Sequence, residues 1–160
     1  MKKRLIPVLL FTLLWQAALA LAQQLTIQTE AGKQTSLTRA DLDALPHVKI
    51  TTSASGTSAT FEGVTLKAVL ESAGVGFGEA MRGKRLASFL LVEAADGYRV
   101  VIALPELDPA FTDKQVVLAF LKDGKLLDDK EGPYRIVIPD EKRMARWVRQ
   151  VTALKIVGAP

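Results

Sequence analysis

The chain has 160 residues, with 21 Lys and Arg against 17 Asp and Glu, and it contains no cysteine. The missing thiols exclude disulfides, thiolate metal sites and a cysteine nucleophile. Asparagine is absent as well, so no N-linked glycosylation site exists.

The first 22 residues read as a secretory leader. Lys2, Lys3 and Arg4 form a basic start, Leu5 to Leu14 an apolar run broken by Pro7 and Thr12, and Ala20-Leu21-Ala22 a small-x-small cleavage site. The run is too short to cross a bilayer, which takes roughly 20 apolar residues. No cysteine follows the site, so a lipoprotein anchor is excluded. Cleavage after Ala22 leaves residues 23–160, a single domain by size. A bacterial periplasm is the expected compartment. Losing Lys2, Lys3 and Arg4 brings the charge close to balance, which removes the electrostatic case for nucleic acid. No later segment is apolar for long enough to hold the mature chain in a membrane.

Leu25–Thr29 alternates apolar and polar residues, the pattern of a strand with one wet face, and Gly32 ends it. Thr38 caps a short helix, with Asp41 at the capping-box position and Leu37 and Leu42 as a hydrophobic staple. Pro46 stops that helix, and His47–Thr52 is strand-like. Ser53–Thr60 is small and polar around Gly56 and reads as a loop. Thr65 caps a second helix whose Leu66, Val69, Leu70 and Ala73 form one buried stripe. Gly74 is placed to end it in a left-handed conformation.

Ser88–Ala95 and Tyr98–Leu104 read as strands about an Asp96-Gly97 hairpin turn. Pro105–Pro109 is a turn or a single helical turn. Val116–Leu121 is nearly all apolar, so the expected strand is buried on both faces; Asp123-Gly124 turns the chain after it. Tyr134–Ile138 is another strand, Asp140–Arg146 a short basic turn or helix, and Val148–Val157 the last strand. About seven strands with two or three short helices make an α+β domain.

Few residues offer chemistry. His47 is the only histidine; it serves a serine only if a serine and an acid converge on it, and a strand-edge histidine is the plainer reading. One histidine and no cysteine argue against zinc. Asp128, Asp129 and Glu131 either hold a hard cation or form a solvated acidic loop. No catalytic residue and no metal ligand is assigned. The basic cluster is Lys142, Arg143, Arg146 and Arg149, with Arg135 upstream. If 141–146 is helical, Lys142 and Arg146 lie one turn apart, where like charges cost a few tenths of a kcal/mol. A bound phosphate or carboxylate would offset that cost, since arginine forks pair with oxyanions. A solvated face, partly neutralised by Asp140 and Glu141, is the alternative. Trp147 belongs to the core.

Taken in order, Gly63-Val64-Thr65-Leu66, Ala73-Gly74, Glu93 to Tyr98, Leu118-Ala119, Asp123-Gly124, Leu126, Gly132 to Pro139 and Arg146-Trp147 resemble the molybdopterin-binding domain of the sulfite oxidase family. The resemblance covers roughly residues 60–157. It implies an α+β, mixed-sheet fold and a pterin whose phosphate lies near Arg146 and Trp147. In that family a cysteine upstream of the Gly-Val-x-Leu helix gives a thiolate to molybdenum. The matching stretch here is Thr51 to Gly56, and Ser53 and Ser55 lie nearest. An alkoxide and a soft thiolate are not equivalent ligands. The family's histidine before Gly-Pro is Glu131 here, which would repel a cofactor phosphate.

The expected function is therefore a non-catalytic, exported module that binds a small anionic ligand or a periplasmic partner protein, its ligand residues being Arg143, Arg146, Lys142, Arg135, Ser53 and Ser55. No cofactor is expected; molybdopterin is the one the resemblance implies. Two other readings are a molybdopterin-dependent oxidoreductase with atypical metal ligation and a structural or chaperone-like partner of a membrane complex.

Overall fold

The computed structural model describes residues 24–54, 57–139 and 141–158. The expected leader, Ser55 and Asp140 lie outside the described residues.

Ten strands are described, in two sheets packed around one hydrophobic cluster. The first sheet joins β1 (Leu25–Gln28), β2 (Gln34–Leu37), β5 (Phe89–Ala94), β6 (Arg99–Ala103) and β10 (Val151–Val157) in the order β2-β1-β10-β5-β6. It is mixed, because β10 runs parallel to β1 and antiparallel to β5. The second sheet is antiparallel. Its order is β3 (His47–Ala54), β4 (Thr57–Thr65), β7 (Val117–Lys122) and β8 (Lys125–Leu126), and β9 (Arg135–Val137) also pairs with β7. Two short helices, α1 (Arg39–Asp43) and α2 (Leu66–Ser72), complete the α+β architecture.

The helix ends form where the local code puts them. The Thr38 hydroxyl accepts the Asp41 N–H at 3.3 Å and the Asp41 carboxylate accepts the Thr38 N–H at 2.7 Å, a closed capping box. Leu37 and Leu42 are both buried, as a staple requires. Thr65 accepts the Ala68 N–H at 3.2 Å, and Leu66, Val69, Leu70 and Ala73 are all buried. Gly74 ends the turn at φ +89°. Val117 to Phe120 on β7 are wholly buried on both faces. This central strand carries β4 on one side and β8 and β9 on the other.

Gly63 has a steric reason. A Cβ there would stand 2.1 Å from the Leu118 carbonyl oxygen, because β4 presses onto β7 beside a bulge at Glu62/Gly63.

Four expectations are corrected. Ser53–Thr60 is not a loop: β3 and β4 pair as far as Ala54↔Thr57, so the described residues of this stretch form a ladder. Threonine's β preference and the cross-strand Thr51–Thr60 hydrogen bond at 2.9 Å outweigh the small polar composition. Gln34–Leu37 is a strand although only Leu37 faces inward. The basic segment holds one 3-10 turn, Met144–Arg146, while Arg143 is extended at φ −132°, ψ 134°, so Lys142 and Arg146 do not share a helix face. β2, β4 and β8 bring the strand number from the seven expected to ten among the described residues.

Candidate functional site

Arg135 opens β9, a short strand that pairs only with β7, and stands opposite Ala119. Its side chain is 9% exposed. The guanidinium carbon sits 5.5 Å from the centre of the Phe61 ring and 5.6 Å from that of Trp147. Nη1 donates to the Glu131 carboxylate, and Nε is buried without a partner. Lys122, at the end of β7, brings Nζ within 3.3 Å of both Glu131 oxygens. Glu131 is thus not a lone repelling charge: it is held by two cations.

Arg146 is paired as well, with its side chain 30% exposed. Nε donates to Glu141 at 2.7 Å, and Nη2 reaches Glu141 and, at 3.5 Å, Glu106. Burial works against its charge, but the hydrogen bonds to Glu141 and then Glu106 outweigh that and hold its pKa above the ordinary arginine value. Trp147 behind it is core: its indole N–H donates to the Ile138 carbonyl at 2.9 Å.

The other basic residues face outward. Lys142, Arg143 and Arg149 are exposed, and none forms an ion pair with a described residue. Beside them is a shallow cavity of about 250 Å³ whose lining includes Asp96, Tyr98, Met144, Ala145 and Arg149. Tyr98 is 48% and Met144 37% exposed. The Tyr98 hydroxyl donates to the Ala145 carbonyl at 2.8 Å and so ties the β5–β6 hairpin to the basic segment.

Ser53 does not join this group. The Thr52 hydroxyl donates to the Pro139 carbonyl at 3.4 Å, which sets the hairpin against the start of the basic segment. Side chains alternate along a strand, so Ser53 points the other way, into solvent, opposite Ser58. The expected six-residue site is therefore divided: Arg135 and Arg146 are paired with carboxylates, Lys142 and Arg143 lie on the surface, Ser53 turns away, and Ser55 is outside the described residues.

The remaining candidates are structural. His47 is at a strand edge, with Nδ1 3.4 Å from Glu62 and its ring edge-on to Phe120 at 5.2 Å. Glu62 is held below the ordinary carboxylate range, first by its hydrogen bond to Lys49. The Asp128 carboxylate accepts the N–H groups of Lys130 and Glu131, each at 3.0 Å, and so folds its own loop. Among the described residues no group of three or more His, Cys, Asp or Glu could hold a metal. Lys122, Phe61 and Tyr98 were not among the sequence candidates; each reaches its partner only through the tertiary fold.

A mixed sheet and an antiparallel sheet, joined through the Gly-Pro-Tyr-Arg strand and the Arg-Trp segment, define the molybdopterin-binding fold of sulfite oxidase-type proteins. The family model described as the oxidoreductase molybdopterin binding domain matches residues 17–159, and the chain belongs to that family. Its fold is similar to that of the sulfane dehydrogenase SoxCD from Paracoccus pantotrophus, with a TM-score of 0.66 at 21% identity. The likeness covers 84% of this chain but 38% of that one, so this chain spans well under half its length. Among curated proteins none is a significant match. No helix among the described residues is long and apolar enough to cross a membrane.

Proposed function

We propose that this chain is a non-catalytic member of its family, exported to the bacterial periplasm, where it docks an acidic partner protein rather than oxidising or reducing a substrate. The observation that carries this reading is the division of the basic residues. Arg135 and Arg146 are matched by Glu131, Glu141 and Glu106 within the fold. Lys142, Arg143 and Arg149 remain outward; Arg149 lines a pocket together with the exposed Tyr98, Met144 and Asp96, and Asp96 is the one acidic group there. Tyrosine, methionine and arginine are the residues enriched at protein interfaces. A small anion would be better served by a cavity lined with the arginines themselves.

The residues present also do not fit a molybdenum–thiolate centre. The chain has no sulfur ligand of the cysteine type. Ser53, the nearest described substitute, is exposed and faces away from the basic segment. A serine hydroxyl is a hard, largely un-ionised donor and competes poorly for such a metal. The competing reading, a molybdopterin-dependent oxidoreductase with atypical ligation, draws on family membership.

The test uses protein purified from the periplasm of a host that makes the pterin. Molybdenum is measured by mass spectrometry and pterin by oxidative fluorescence. Molybdenum well below one per chain is expected, and a near one-to-one content overturns the proposal. In parallel, cross-linking in the periplasm should trap a defined complex. Lys142→Glu, Arg143→Glu and Arg149→Glu together should abolish it; a complex that survives this charge reversal rules out the basic face.

A further inference from the structure

β6 closes one side of the first sheet, with β5 as its only neighbour among the described strands. Its pairs with β5 run in unbroken register from Phe89↔Ala103 to Glu93↔Arg99. The bonds at the two ends of this ladder fix which backbone groups point where. The Leu104 N–H donates to the Ser88 carbonyl and the Ala94 N–H to the Tyr98 carbonyl, so the even-numbered residues of β6 turn their backbone groups toward β5. The N–H and C=O groups of Arg99, Val101 and Ala103 therefore point off the sheet. The Ala103 N–H is met by the Glu106 carboxylate at 3.3 Å. The outward backbone groups of Arg99 and Val101 have no backbone partner among the described residues.

Natural sheets blunt their open edges, because a bare edge templates pairing with another chain. The other edges here are blunted. β2 carries Gln34, Thr35 and Ser36, and β3 presents Lys49, Thr51 and Ser53 to solvent. β8 is two residues long, and β9 is wholly buried. β6 differs from all of them. It reads Val100-Val101-Ile102 at its centre, with no proline and no bulge. Its one charge, Arg99, is held sideways by Glu93 at 3.0 Å. Val101 is 49% exposed and ends a row, Lys155-Leu91-Val101, that crosses the outer face of the sheet to this edge.

We infer that β6 is a self-pairing edge: two copies of this chain join β6 to β6 antiparallel, with Val101 on the two-fold axis, and merge their first sheets into one. The occupant is a second copy because the strand is its own complement. In this register the two Val101 residues exchange both of their hydrogen bonds, and each Arg99 N–H reaches the Ala103 carbonyl of the other copy. Glu106 keeps the Ala103 N–H. Charge agrees with the register. Each Arg99 faces a small alanine, stays with its own Glu93, and lies about 14 Å from the Arg99 of the other copy. Sliding the pairing by two residues would set the two arginines diagonally across the seam, which like charges disfavour. The seam uses none of Lys142, Arg143, Arg149 or the Tyr98 pocket, so it stands or falls apart from the docking proposal.

The experiment is analytical sedimentation of residues 23–160 from about 1 µM to about 1 mM. The average mass should rise toward twice that of the monomer, with a midpoint on the order of 100 µM, as suits a seam of one short strand pair. Val101→Pro removes an outward N–H and leaves the bonds to β5 in place, so its circular dichroism should match the parent while it stays monomeric. If that variant does not fold, Val101→Lys decides the matter. Lysine is a natural edge blocker, and two of them on the axis should weaken association by about tenfold or more. The chain has no cysteine, so Val101→Cys can form a disulfide only with another copy. Mild oxidation should convert it to covalent dimer well beyond Lys49→Cys on the β3 edge. The inference is overturned if the parent remains monomeric throughout, or if Val101→Lys associates as tightly as the parent. Equal cross-linking of the two cysteine variants also overturns it.

Discussion

Replacing Gly63 by alanine isolates one contact between β4 and β7. The added Cβ would lie 2.1 Å from the Leu118 oxygen, 2.7 Å from the Ala119 Cα and 2.8 Å from the Leu118 carbonyl carbon. All three are backbone atoms of a wholly buried strand, so no side chain can rotate away. Ordinary van der Waals contact begins near 3.4 Å, so the strands must part by roughly 1.3 Å at this point. That shift strains the pairs Gly63↔Ala119 and Val64↔Leu118 and loosens Phe61 and Val64 from the core. Overpacking typically costs about 1–3 kcal/mol, and a clash with rigid backbone belongs at the upper end. About 3 kcal/mol corresponds to a drop of roughly 10 °C in a domain of this size. Urea unfolding followed by Trp147 fluorescence gives the free energy, and calorimetry gives Tm. Gly158→Ala, where a Cβ meets nothing within 4 Å, is the control and should leave both unchanged. A Gly63→Ala protein within about 2 °C of the parent would refute the close approach of the two strands.

Three further outcomes follow from the polar contacts. Asp108 is buried, and burial opposes its charge. The N–H groups of Ala110 and Gly78 and the Lys67 charge outweigh that and hold its pKa below the ordinary carboxylate value. Its contribution is therefore complete above the unfolded pKa of about 3.9 and is lost as pH falls through the lower folded value; Asp108→Asn should flatten the fall of Tm between about pH 4 and pH 2. Trp147→Phe leaves the buried Ile138 carbonyl without its indole donor and should cost about 1–3 kcal/mol in urea unfolding; a loss below about 0.5 kcal/mol would mean water replaces the donor. A double-mutant cycle of Arg146→Gln and Glu141→Gln should return a coupling near 1 kcal/mol that weakens with salt, and zero coupling would contradict a paired Arg146.

Helix ends were legible because their code is local. Thr38 with Asp41, and Thr65 with Gly74, mark start and stop within a few residues of each other. Val117–Phe120 announces a two-sided strand by composition alone. The ordered motifs from Gly63 to Trp147 pointed to the family that the whole-chain match shows. The paired residues on either side of the hairpin tip were missed because Ser, Thr and Ala serve both turns and wet strands, and only pairing such as that of Thr51 with Thr60 decides between them. β2 was missed because three of its four residues are polar.

The candidate site was harder to read, because a run of arginines does not declare its partners. Glu106 is 40 residues from Arg146. Lys122 and Arg135 meet at Glu131 only after β9 pairs with β7. Spacing in the chain suggested one anion site; folding distributes the same charges between interior pairs and an outer rim. The alternation that turns Ser53 away from Thr52 is a period-two fact that was available only once 53–54 was known to be strand.

β10, the last of the described strands in chain order, is also the middle strand of its sheet, held between β1 and β5. Until Val151–Val157 leaves the ribosome, β1 and β5 both present bare edges and the sheet has no centre. Shortened products that lack these seven residues would offer two hydrogen-bonding rims to any passing strand. The two halves of this sheet thus meet only through β10, and its docking decides between a closed sheet and a sticky one.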